Sequence, residues 1–394
     1  MPATAASLAQ LHNHLLDTMT PPAIRSFDNQ ISSVPGIIKL TLGEPDFNVP
    51  EHVKQAAIKS IEANDSHYAQ DVGKLELRQA IHDYLLDTRA VSYDVQSEIV
   101  VTDGATESLA AISYGLLNPG DKVLIPTPAF SLYFAQVKLA GAEPVMLDTS
   151  QDDFQLTPDH LKRALAEHGA AVKAIILNYP NNPTGRTFTK AEIDALVPIL
   201  KESGLLVISD EIYSDLTYDQ AHISFATQLP EQTLIVSGMS KSHAMTGYRL
   251  GYVAGPADIM KSVSQLHSYL VVSVNNATQA AGAEALNNGR DDAVKFKEAY
   301  QKRRDFIVAA MQKLGFTLAT PQGAFYVFAK IPAQFGTDDF KFALDLAQKT
   351  AVGVIPGSVF GAGAEGYVRL SYAASDENIK ESMRRLAEYM EKLA

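Results

Sequence analysis

The sequence predicts an α/β protein: a three-layer large domain built on a mostly parallel seven-stranded sheet, followed by a smaller α+β domain. Between residues 98 and 255, short apolar runs bounded by turn residues alternate with helical patterns such as 105–117 and 190–204. Continuous apolar strands that alternate with helices are typical of parallel sheets covered on both faces. After about residue 290, long charged helical patterns flank short strands instead, which indicates a change of architecture.

Seven apolar runs supply the predicted strands of the large domain. They are EIVVT (98–102), KVLIP (122–126), EPVML (143–147), VKAIIL (172–177), LLVIS (205–209), TLIVS (233–237) and GYVAG (251–255). In the C-terminal part, AFYVFA and YVRLSYA are the predicted strands. We expect residues 1–40 to be an N-terminal segment that packs on the small domain, residues 41–290 to be the large domain and residues 291–394 to be the small domain.

The composition excludes several classes of function. Cysteine is absent, which excludes disulfides, thiol nucleophiles, cysteine-ligated zinc and iron–sulfur clusters. The net charge of −12 argues against nucleic-acid binding, which needs a basic surface. No run approaches the ~18 apolar residues of a membrane span, and the N-terminus lacks the features of a signal peptide. We therefore expect a cytoplasmic protein that binds neither nucleic acid nor membranes.

Polar or aromatic side chains follow five of the predicted strands. Ligands of open α/β sheets bind at the carboxyl ends of the strands, so we expect these side chains to surround one site. In chain order the segments are DGATES (103–108), PTPAF (126–130), NYPNNPTG (178–185), DEIY (210–213) and SGMSK (237–241).

The first of these segments and a later arginine suggest a phosphate site. DGATES opens a helix, where free backbone N–H groups and the helix dipole favour an anion. The alternative, preferred for this segment alone, is an ordinary N-cap in which Asp103 or Thr106 satisfies those groups. Arg249 offers a planar fork that matches a phosphate, and Gly247 and Gly251 beside it permit close approach of a ligand. Its alternative is a surface arginine.

Asp210 ends an apolar strand, so its carboxylate is expected to be buried and to need a partner. That partner is either a protonated ring nitrogen of a cofactor or a neighbouring basic side chain. Tyr213, three residues further on, could reach the same ligand. Taken alone, Asn182 is an ordinary turn residue and Phe130 an ordinary core residue.

Lys241 lies among small residues directly after an apolar strand. A lysine in a partly desolvated site near another cation, such as Arg249, has a lowered pKa and can attack a carbonyl as a neutral amine. A phosphate site, a carboxylate for a pyridinium nitrogen and an amine for an aldehyde together fit pyridoxal 5′-phosphate.

The chain resembles the class I and II aminotransferases of pyridoxal-phosphate fold type I, the aspartate aminotransferase superfamily, over nearly its whole length. The motifs that carry the resemblance follow one another in family order. They are LGEPDF (42–47), HYAQDVGKLELRQA (67–80), NYPNNPTG, SDEIYS (209–214), SKSHAMTGYRLGY (240–252) and YVRLSYA (367–373). The chain looks most similar to the branch of aromatic and N-acetyl-LL-diaminopimelate aminotransferases.

The resemblance implies a role for each matching residue. Lys241 would bind the cofactor covalently and move a proton between the substrate Cα and the cofactor C4′. Asp210 would keep the pyridine nitrogen protonated. Tyr213 and Asn182 would hydrogen-bond the phenolic oxygen of the ring, and Phe130 would stack on the ring.

The resemblance also implies contacts to the phosphate, the substrate and a second subunit. The resemblance implies that the phosphate is bound by residues from Gly104, Ala105, Thr106, Ser237, Ser240 and Arg249. Which of the hydroxyls of Thr106, Ser237 and Ser240 take part is left open. Arg369 would bind the substrate α-carboxylate, with Gly43 beside it. Tyr68 would reach the phosphate of the neighbouring subunit, which implies a homodimer with shared active sites.

The chain departs from the family pattern at a few positions. Tyr248 stands where relatives commonly have tryptophan, and Gly238 stands where some branches carry a phosphate-binding serine. No second arginine matches one that would bind a side-chain carboxylate of the substrate. This last departure argues against strict specificity for aspartate.

The predicted function is transfer of an amino group from an aromatic or N-acetyl-LL-diaminopimelate-like L-amino acid to a 2-oxo acid such as 2-oxoglutarate. A cystathionine β-lyase, a C–S lyase of the same fold, is the alternative that the sequence does not separate from it. A pyridoxal-phosphate sensing domain of a transcription factor would need an N-terminal DNA-binding domain, for which the 40 or so residues before Gly43 leave no room.

Three other patterns are interpreted as non-functional. GAGAEG (361–366) matches a dinucleotide-binding pattern but precedes a strand, so we expect a loop. His12 and His14 are two residues apart and would not share a helix face, so no metal site is predicted there. Ser240 and Lys241 lack the oxyanion-hole motif of a Ser–Lys hydrolase.

Overall fold

The computed structural model describes residues 4–5, 8, 11–19 and 21–393, so the predicted N-terminal segment is described only in part. The α-helices are α1 (Ala23–Ile31), α2 (Glu51–Glu62), α3 (Leu75–Arg89), α4 (Gly104–Leu116), α5 (Leu132–Leu139), α6 (Pro158–His168), α7 (Lys190–Ser203), α8 (Ala257–Leu270), α9 (Asn276–Asn288), α10 (Arg290–Lys313), α11 (Asp339–Thr350) and α12 (Asp376–Leu393). The strands are β1 (Ile38–Lys39), β2 (Ile99–Thr102), β3 (Lys122–Thr127), β4 (Glu143–Asp148), β5 (Val172–Asn178), β6 (Leu206–Asp210), β7 (Thr233–Gly238), β8 (Gly251–Ala254), β9 (Tyr326–Lys330), β10 (Val352–Gly353), β11 (Ile355–Pro356) and β12 (Tyr367–Ser371).

The seven strands predicted between residues 98 and 255 form one sheet in the order β2-β8-β7-β6-β5-β3-β4. Strands β7, β6, β5, β3 and β4 are parallel, whereas β8 is antiparallel to both of its neighbours. The predicted α/β class and the mostly parallel sheet are therefore confirmed.

Helices cover both faces of this sheet. Successive side chains of a strand point to opposite faces, and in the central strands the side chains on both faces are mostly apolar and buried. In β5, Ala174 and Ile176 pack in a core cluster with residues of α4, α5 and α8. Ile175 and Leu177 instead pack with residues of α6 and α7, and α3 and α9 cover the same face nearer to β2 and β8. The result is the predicted arrangement of three layers.

A second, antiparallel sheet has the order β11-β12-β9. Helices α10, α11 and α12, all predicted from charged helical patterns, contribute to its core cluster. Phe27 and Ile31 of α1 and Leu40 belong to the same cluster, and β1 pairs in parallel with β10. The domain boundaries after residues 40 and 290 stay predictions. Among the described residues, no helix combines the length and apolar character needed to cross a membrane.

Candidate active site

The carboxyl ends of β3, β5, β6 and β7 lie side by side at one edge of the large sheet, because these strands are parallel neighbours. The segments that carry Phe130, Asn182, Asp210 and Lys241 leave the sheet at this edge. We call the region around Lys241, Asp210, Tyr213, Asn182 and Arg369 the carboxyl-edge site.

The amine of Lys241 is held in a partly buried position directly after β7. Its Nζ donates to the carbonyl oxygen of Gly43 at 2.9 Å. Burial, reinforced by the charges of Arg249 and Arg369, lowers the pKa of Lys241 to about 8, although Glu44 and Asp210 act in the opposite direction. A substantial fraction of the amine is therefore neutral near pH 8 and able to act as a nucleophile.

Asp210 is the last residue of β6, and its side chain is only 4% exposed. Its Oδ2 accepts a hydrogen bond from the hydroxyl of Tyr133 at 2.7 Å, and its Oδ1 accepts from the backbone N–H of Ile212 at 3.2 Å. Burial raises the pKa of Asp210 to about 6 despite these two donors. The carboxylate is thus placed to accept a buried cationic partner, and none of the ion pairs between described residues includes it.

Tyr133 is a residue that sequence reasoning missed. It lies in α5, three residues after Phe130, and packs edge-on against that ring with the ring centroids 5.9 Å apart. The sequence held no signal for it, because Phe130 precedes α5 and the contact of Tyr133 with Asp210 arises only from tertiary packing. Phe130 is partly buried and therefore keeps part of its surface open.

A cup forms where α4 begins, lined by the first turn of α4, Arg249 and the start of β8. Gly104 has a φ of +74°, and a Cβ added there would lie 2.6 Å from Nη2 of Arg249. A Cβ added at Gly251 would lie 2.6 Å from the backbone nitrogen of Ala105. The first turn of α4, the Arg249 guanidinium and the start of β8 are therefore in direct contact, and glycines keep the cup open.

The ordinary N-cap considered for α4 is not present. The side chain of Asp103 makes no cap hydrogen bond to the helix, and Thr106 in the first turn is exposed. Arg249 is also exposed and donates to the carbonyl oxygen of Thr246 at 3.0 Å. The first N–H groups of α4 and a guanidinium therefore face the same space, which is the arrangement that binds anions.

The hydroxyls left open by the sequence differ in their surroundings. Ser237 lies within β7, and its hydroxyl donates to the carbonyl oxygen of Glu211 at 3.3 Å, a partner outside the cup. Ser240 is buried beside Lys241. The departure at Gly238 has a steric reason, because a Cβ there would lie 2.5 Å from the carbonyl oxygen of Leu250.

Arg369, in β12 of the second sheet, reaches the same site although it is only 2% exposed. Its Nη1 donates to Oδ1 of Asn182 at 2.9 Å, and its Nη2 donates to the carbonyl oxygen of Thr41. Its buried Nε makes no hydrogen bond with any described residue. A buried guanidinium without a carboxylate partner is costly, so this arrangement favours the binding of an external anion.

Two tyrosines complete the site. The hydroxyls of Tyr213 and Tyr326 are 2.8 Å apart, and the Tyr326 ring lies 4.5 Å from the guanidinium carbon of Arg369. A Cβ added at Gly43 would lie 2.0 Å from the Tyr326 hydroxyl, which explains the glycine there. Sequence reasoning placed Tyr326 only in a strand. Its proximity to Arg369 follows from the antiparallel pairing of β9 with β12, which the sequence does not specify.

A buried polar network behind the site supports the segment from Asp210 to Tyr213. Glu211 is 2.6 Å from Nε of Arg89 and 3.0 Å from Nε2 of His222, and it accepts from the hydroxyl of Ser224. Burial alone would raise the pKa of Glu211, but His222 and Arg89 hold it below its usual range. Glu211 directly follows Asp210, so this network holds the backbone at the end of β6.

Tyr68 is not brought to the site within one chain. Its side chain is 87% exposed and lies in the segment before α3. GAGAEG is part of the loop that leads into β12, as predicted. The prediction that the side chains of His12 and His14 would lie on different faces assumed an α-helix, and it was wrong. Their rings lie 4.8 Å apart at a short 3₁₀ helix, and both contact Asp17.

Comparison with known proteins shows similarity over nearly the whole chain. A family model described as "Aminotransferase class I and II" matches residues 35–386. A Bacillus subtilis (strain 168) protein named "Probable N-acetyl-LL-diaminopimelate aminotransferase" is 41% identical over 363 residues, 92% of this chain and 91% of that protein. The structure of an aromatic aminotransferase from Pyrococcus horikoshii OT3 is similar with a TM-score of 0.87 and 35% identity, covering 93% of this chain and 99% of that one. An aspartate aminotransferase from Thermus thermophilus with maleate gives a TM-score of 0.90 at 33% identity, covering 96% and 99%.

Proposed function

Because the chain belongs to the family of class I and II aminotransferases, we propose that its carboxyl-edge site holds pyridoxal 5′-phosphate and uses it to move an amino group from an L-amino acid to a 2-oxo acid. One observation supports this most strongly: a lysine of lowered pKa, a buried carboxylate and a buried arginine without a carboxylate partner meet at one sheet edge. The relatives given above are all named as aminotransferases, which favours transamination over the C–S lyase alternative.

The residues present fit the phosphate and the ring of this cofactor. The backbone N–H groups of Ala105 and Thr106, together with Arg249, would hold the phosphate in the cup beside Gly104. Ser240 and Thr106 would supply hydroxyls, whereas the Ser237 hydroxyl is already directed to a backbone carbonyl.

Asp210 would pair with the protonated ring nitrogen, since its buried carboxylate is otherwise without a cation. The amide oxygen of Asn182 already accepts from Arg369, so its amide nitrogen is left to donate to the ring oxygen together with the Tyr213 hydroxyl. The Phe130 ring would lie against the cofactor ring.

When bound, the cofactor supplies an electron sink for the charge that develops at the substrate Cα. Lys241 would bind it covalently and then, once released as a free amine, take the Cα proton. Its pKa of about 8 suits both tasks, because the amine is a usable base near neutral pH and a usable acid once protonated. Arg369, whose guanidinium lies over the rings of Tyr326 and Phe360, would hold the substrate α-carboxylate beside Gly43.

We expect Arg369→Lys to lower kcat/KM by about 100-fold, mainly through a higher KM for both substrates. Lysine keeps a positive charge but loses the planar fork, and a charge-assisted hydrogen bond contributes about 1.5–3 kcal/mol. Steady-state kinetics with donor and acceptor varied in turn measure the effect. Arg163→Lys, an exposed arginine on α6, is the matched control. Equal kcat/KM in the Arg369 variant and the wild type would remove Arg369 from the substrate site.

For the substrate we propose an aromatic or N-acetyl-LL-diaminopimelate-like amino acid as donor and 2-oxoglutarate as acceptor. The support is the 41% identity to the Bacillus subtilis protein named as a probable N-acetyl-LL-diaminopimelate aminotransferase, and the similarity to an aromatic aminotransferase structure. The lack of a second matchable arginine argues against aspartate as the preferred donor.

We also propose a cytoplasmic homodimer in which Tyr68 of one subunit serves the phosphate cup of the other. Tyr68 is 87% exposed, and its segment is tied to α9 because Nδ2 of Asn276 donates to the carbonyl oxygens of Asp65 and His67. Tyr269, in the last turn of α8, is 76% exposed, and α8 is joined to the same segment by the 2.8 Å contact between Nε2 of His267 and the carbonyl oxygen of Asp71. Large exposed aromatic side chains on two neighbouring segments favour burial against a second copy.

The direct test is to purify the protein with pyridoxal phosphate and follow its visible absorption while single amino acids are added without an acceptor. We expect an aromatic amino acid or N-acetyl-LL-diaminopimelate to bleach the yellow band and a 2-oxo acid to restore it. Accumulation of pyruvate and ammonia from cystathionine, with the band unchanged, would establish the lyase instead. Glutamate and aspartate serve as comparison donors.

A further inference from the structure

We propose that Tyr326 is a positioning residue with two separable parts: its hydroxyl donates to Tyr213, and its ring sets the plane of the Arg369 guanidinium. This inference rests on the proposed function, because it concerns how the carboxyl-edge site orders its cofactor and substrate contacts.

The position of Tyr326 connects parts of the chain that are distant in sequence. It is the first residue of β9, and it is almost fully buried. Its hydroxyl is 2.8 Å from that of Tyr213, and its ring lies under Arg369. The same hydroxyl lies against Gly43, whose carbonyl oxygen accepts from Lys241. One side chain therefore contacts three of the groups proposed to act on cofactor and substrate.

The direction of the tyrosine–tyrosine hydrogen bond follows from what Tyr213 must do. If the Tyr213 proton is donated to the ring oxygen of the cofactor, the Tyr213 oxygen is left as the acceptor for Tyr326. Burial raises the pKa of Tyr326, and the positive charge of Arg369 over its ring partly offsets that rise, so the hydroxyl keeps its proton and is available as a donor. Donation along such a chain strengthens the next bond, so Tyr326 would make Tyr213 a stronger donor.

The ring has a different task. The Arg369 guanidinium carbon lies over the Tyr326 ring at 4.5 Å and over the Phe360 ring at 5.1 Å from the centroids. Its hydrogen bonds to described residues go to Asn182 and to a backbone carbonyl. Two aromatic faces orient the fork without using a carboxylate. The guanidinium is thus fixed in direction while its capacity to bind an anion is retained.

The test compares Tyr326→Phe, which keeps the ring, with Tyr326→Leu, which removes it. In Tyr326→Phe we expect the pH midpoint of the cofactor's visible absorption to rise by about 0.5–1 unit, because a weaker donor stabilises the ring oxygen anion less. The KM for the amino acid should stay within about twofold. In Tyr326→Leu we expect the same shift and, in addition, a KM raised about 5–30-fold, as expected for loss of a desolvated cation–π contact.

A double-mutant cycle isolates the hydrogen bond. Tyr326→Phe should add no shift when Tyr213 is already phenylalanine. Tyr300→Phe is the matched control, because Tyr300 is a buried tyrosine of the same core cluster whose hydroxyl makes no hydrogen bond with described residues. Circular dichroism of each variant verifies that it is folded, and the leucine variant still tests the hydroxyl if the phenylalanine variant is not obtained.

Each outcome has a defined meaning. A midpoint unchanged in Tyr326→Phe, or a shift that persists in the Tyr213→Phe background, would overturn the role of the hydroxyl. An unchanged KM in Tyr326→Leu would overturn the role of the ring. A wild-type protein that shows no visible band with pyridoxal phosphate would overturn the proposed function and this inference with it. A normal wild-type band, together with variants whose pH midpoint and KM equal those of the wild type, would overturn only the inference.

Discussion

Replacing Lys241 with alanine is expected to lower the transamination rate by a factor of about 10⁴ and to abolish covalent retention of the cofactor. A positioned proton-transfer group alone contributes about 10²–10⁴, and this variant also loses the nucleophile. The amine that now donates to Gly43 is the only lysine among the proposed site residues, so no neighbouring side chain can replace it. Single-turnover kinetics and mass spectrometry of the borohydride-reduced protein measure the two effects.

The control for this experiment is Lys261→Ala, which removes a lysine on the surface of α8 that pairs with Asp258 at 2.7 Å. That variant should keep the wild-type rate, and after borohydride reduction it should show the same added mass of covalently bound cofactor as the wild type. Small primary amines added to Lys241→Ala should restore part of the proton transfer, since they can enter the space left by the side chain. A fixed cofactor that remains on the alanine variant after reduction and dialysis would show that another residue forms the bond.

Asp210→Asn is expected to lower kcat by about 10²–10³, with little change in KM for the amino acid. The loss is of the size seen when one preorganised electrostatic contact to a developing charge is removed, since a neutral amide no longer keeps the ring nitrogen protonated. The amide oxygen can still accept from the backbone N–H of Ile212, and the amide nitrogen can donate to the Tyr133 hydroxyl, which then acts as the acceptor. The variant therefore removes the charge while it keeps the shape. A kcat within about twofold of the wild type would contradict the pairing of Asp210 with the cofactor.

Asp210→Asn should lower kcat but raise the stability of the cofactor-free protein. The pKa of Asp210 is raised to about 6 in the folded chain, above its usual value of 3.8, so folding favours the protonated form. The contribution of Asp210 therefore becomes less favourable as the pH rises from about 4 through 6, and it stays unfavourable above. Without cofactor, Asp210→Asn should melt at a higher temperature than the wild type at pH 8, and this advantage should be absent at pH 4. Asp83→Asn, an exposed carboxylate on α3, is the control for general charge effects.

The elements of the fold that could be predicted are those defined by local pattern. Each of the seven apolar runs forms a strand, and all but the edge strand β4 are almost wholly buried, as continuous apolar runs require. The residues at the strand ends, such as Asp210 and Lys241, could be grouped because parallel neighbours share one carboxyl edge. Arg369 required the family resemblance, since it comes from a different sheet.

The contacts that could not be predicted depend on side chains from elements far apart in sequence. Tyr133 reaches Asp210 only because α5 packs beside the end of β6, and Glu211 meets Arg89 across 122 positions of the chain. Tyr326 lies beside Arg369 through the register of two antiparallel strands. None of these pairings has a periodic signal, and each needs the tertiary arrangement before the partner can be named.

The pairing of Gly238 with Gly251 closes a loop of defined length between β7 and β8. The chain leaves the sheet edge at Gly238 and returns opposite it at Gly251, with Lys241 near one end and Arg249 near the other. Both ends are closely packed, because a Cβ added at Gly238 would lie 2.5 Å from the Leu250 carbonyl oxygen and a Cβ added at Gly251 would lie 2.6 Å from the backbone nitrogen of Ala105. An insertion or deletion in residues 239–250 would therefore shift the amine relative to the phosphate cup. In this loop, the number of residues is as much a part of the chemistry as their side chains.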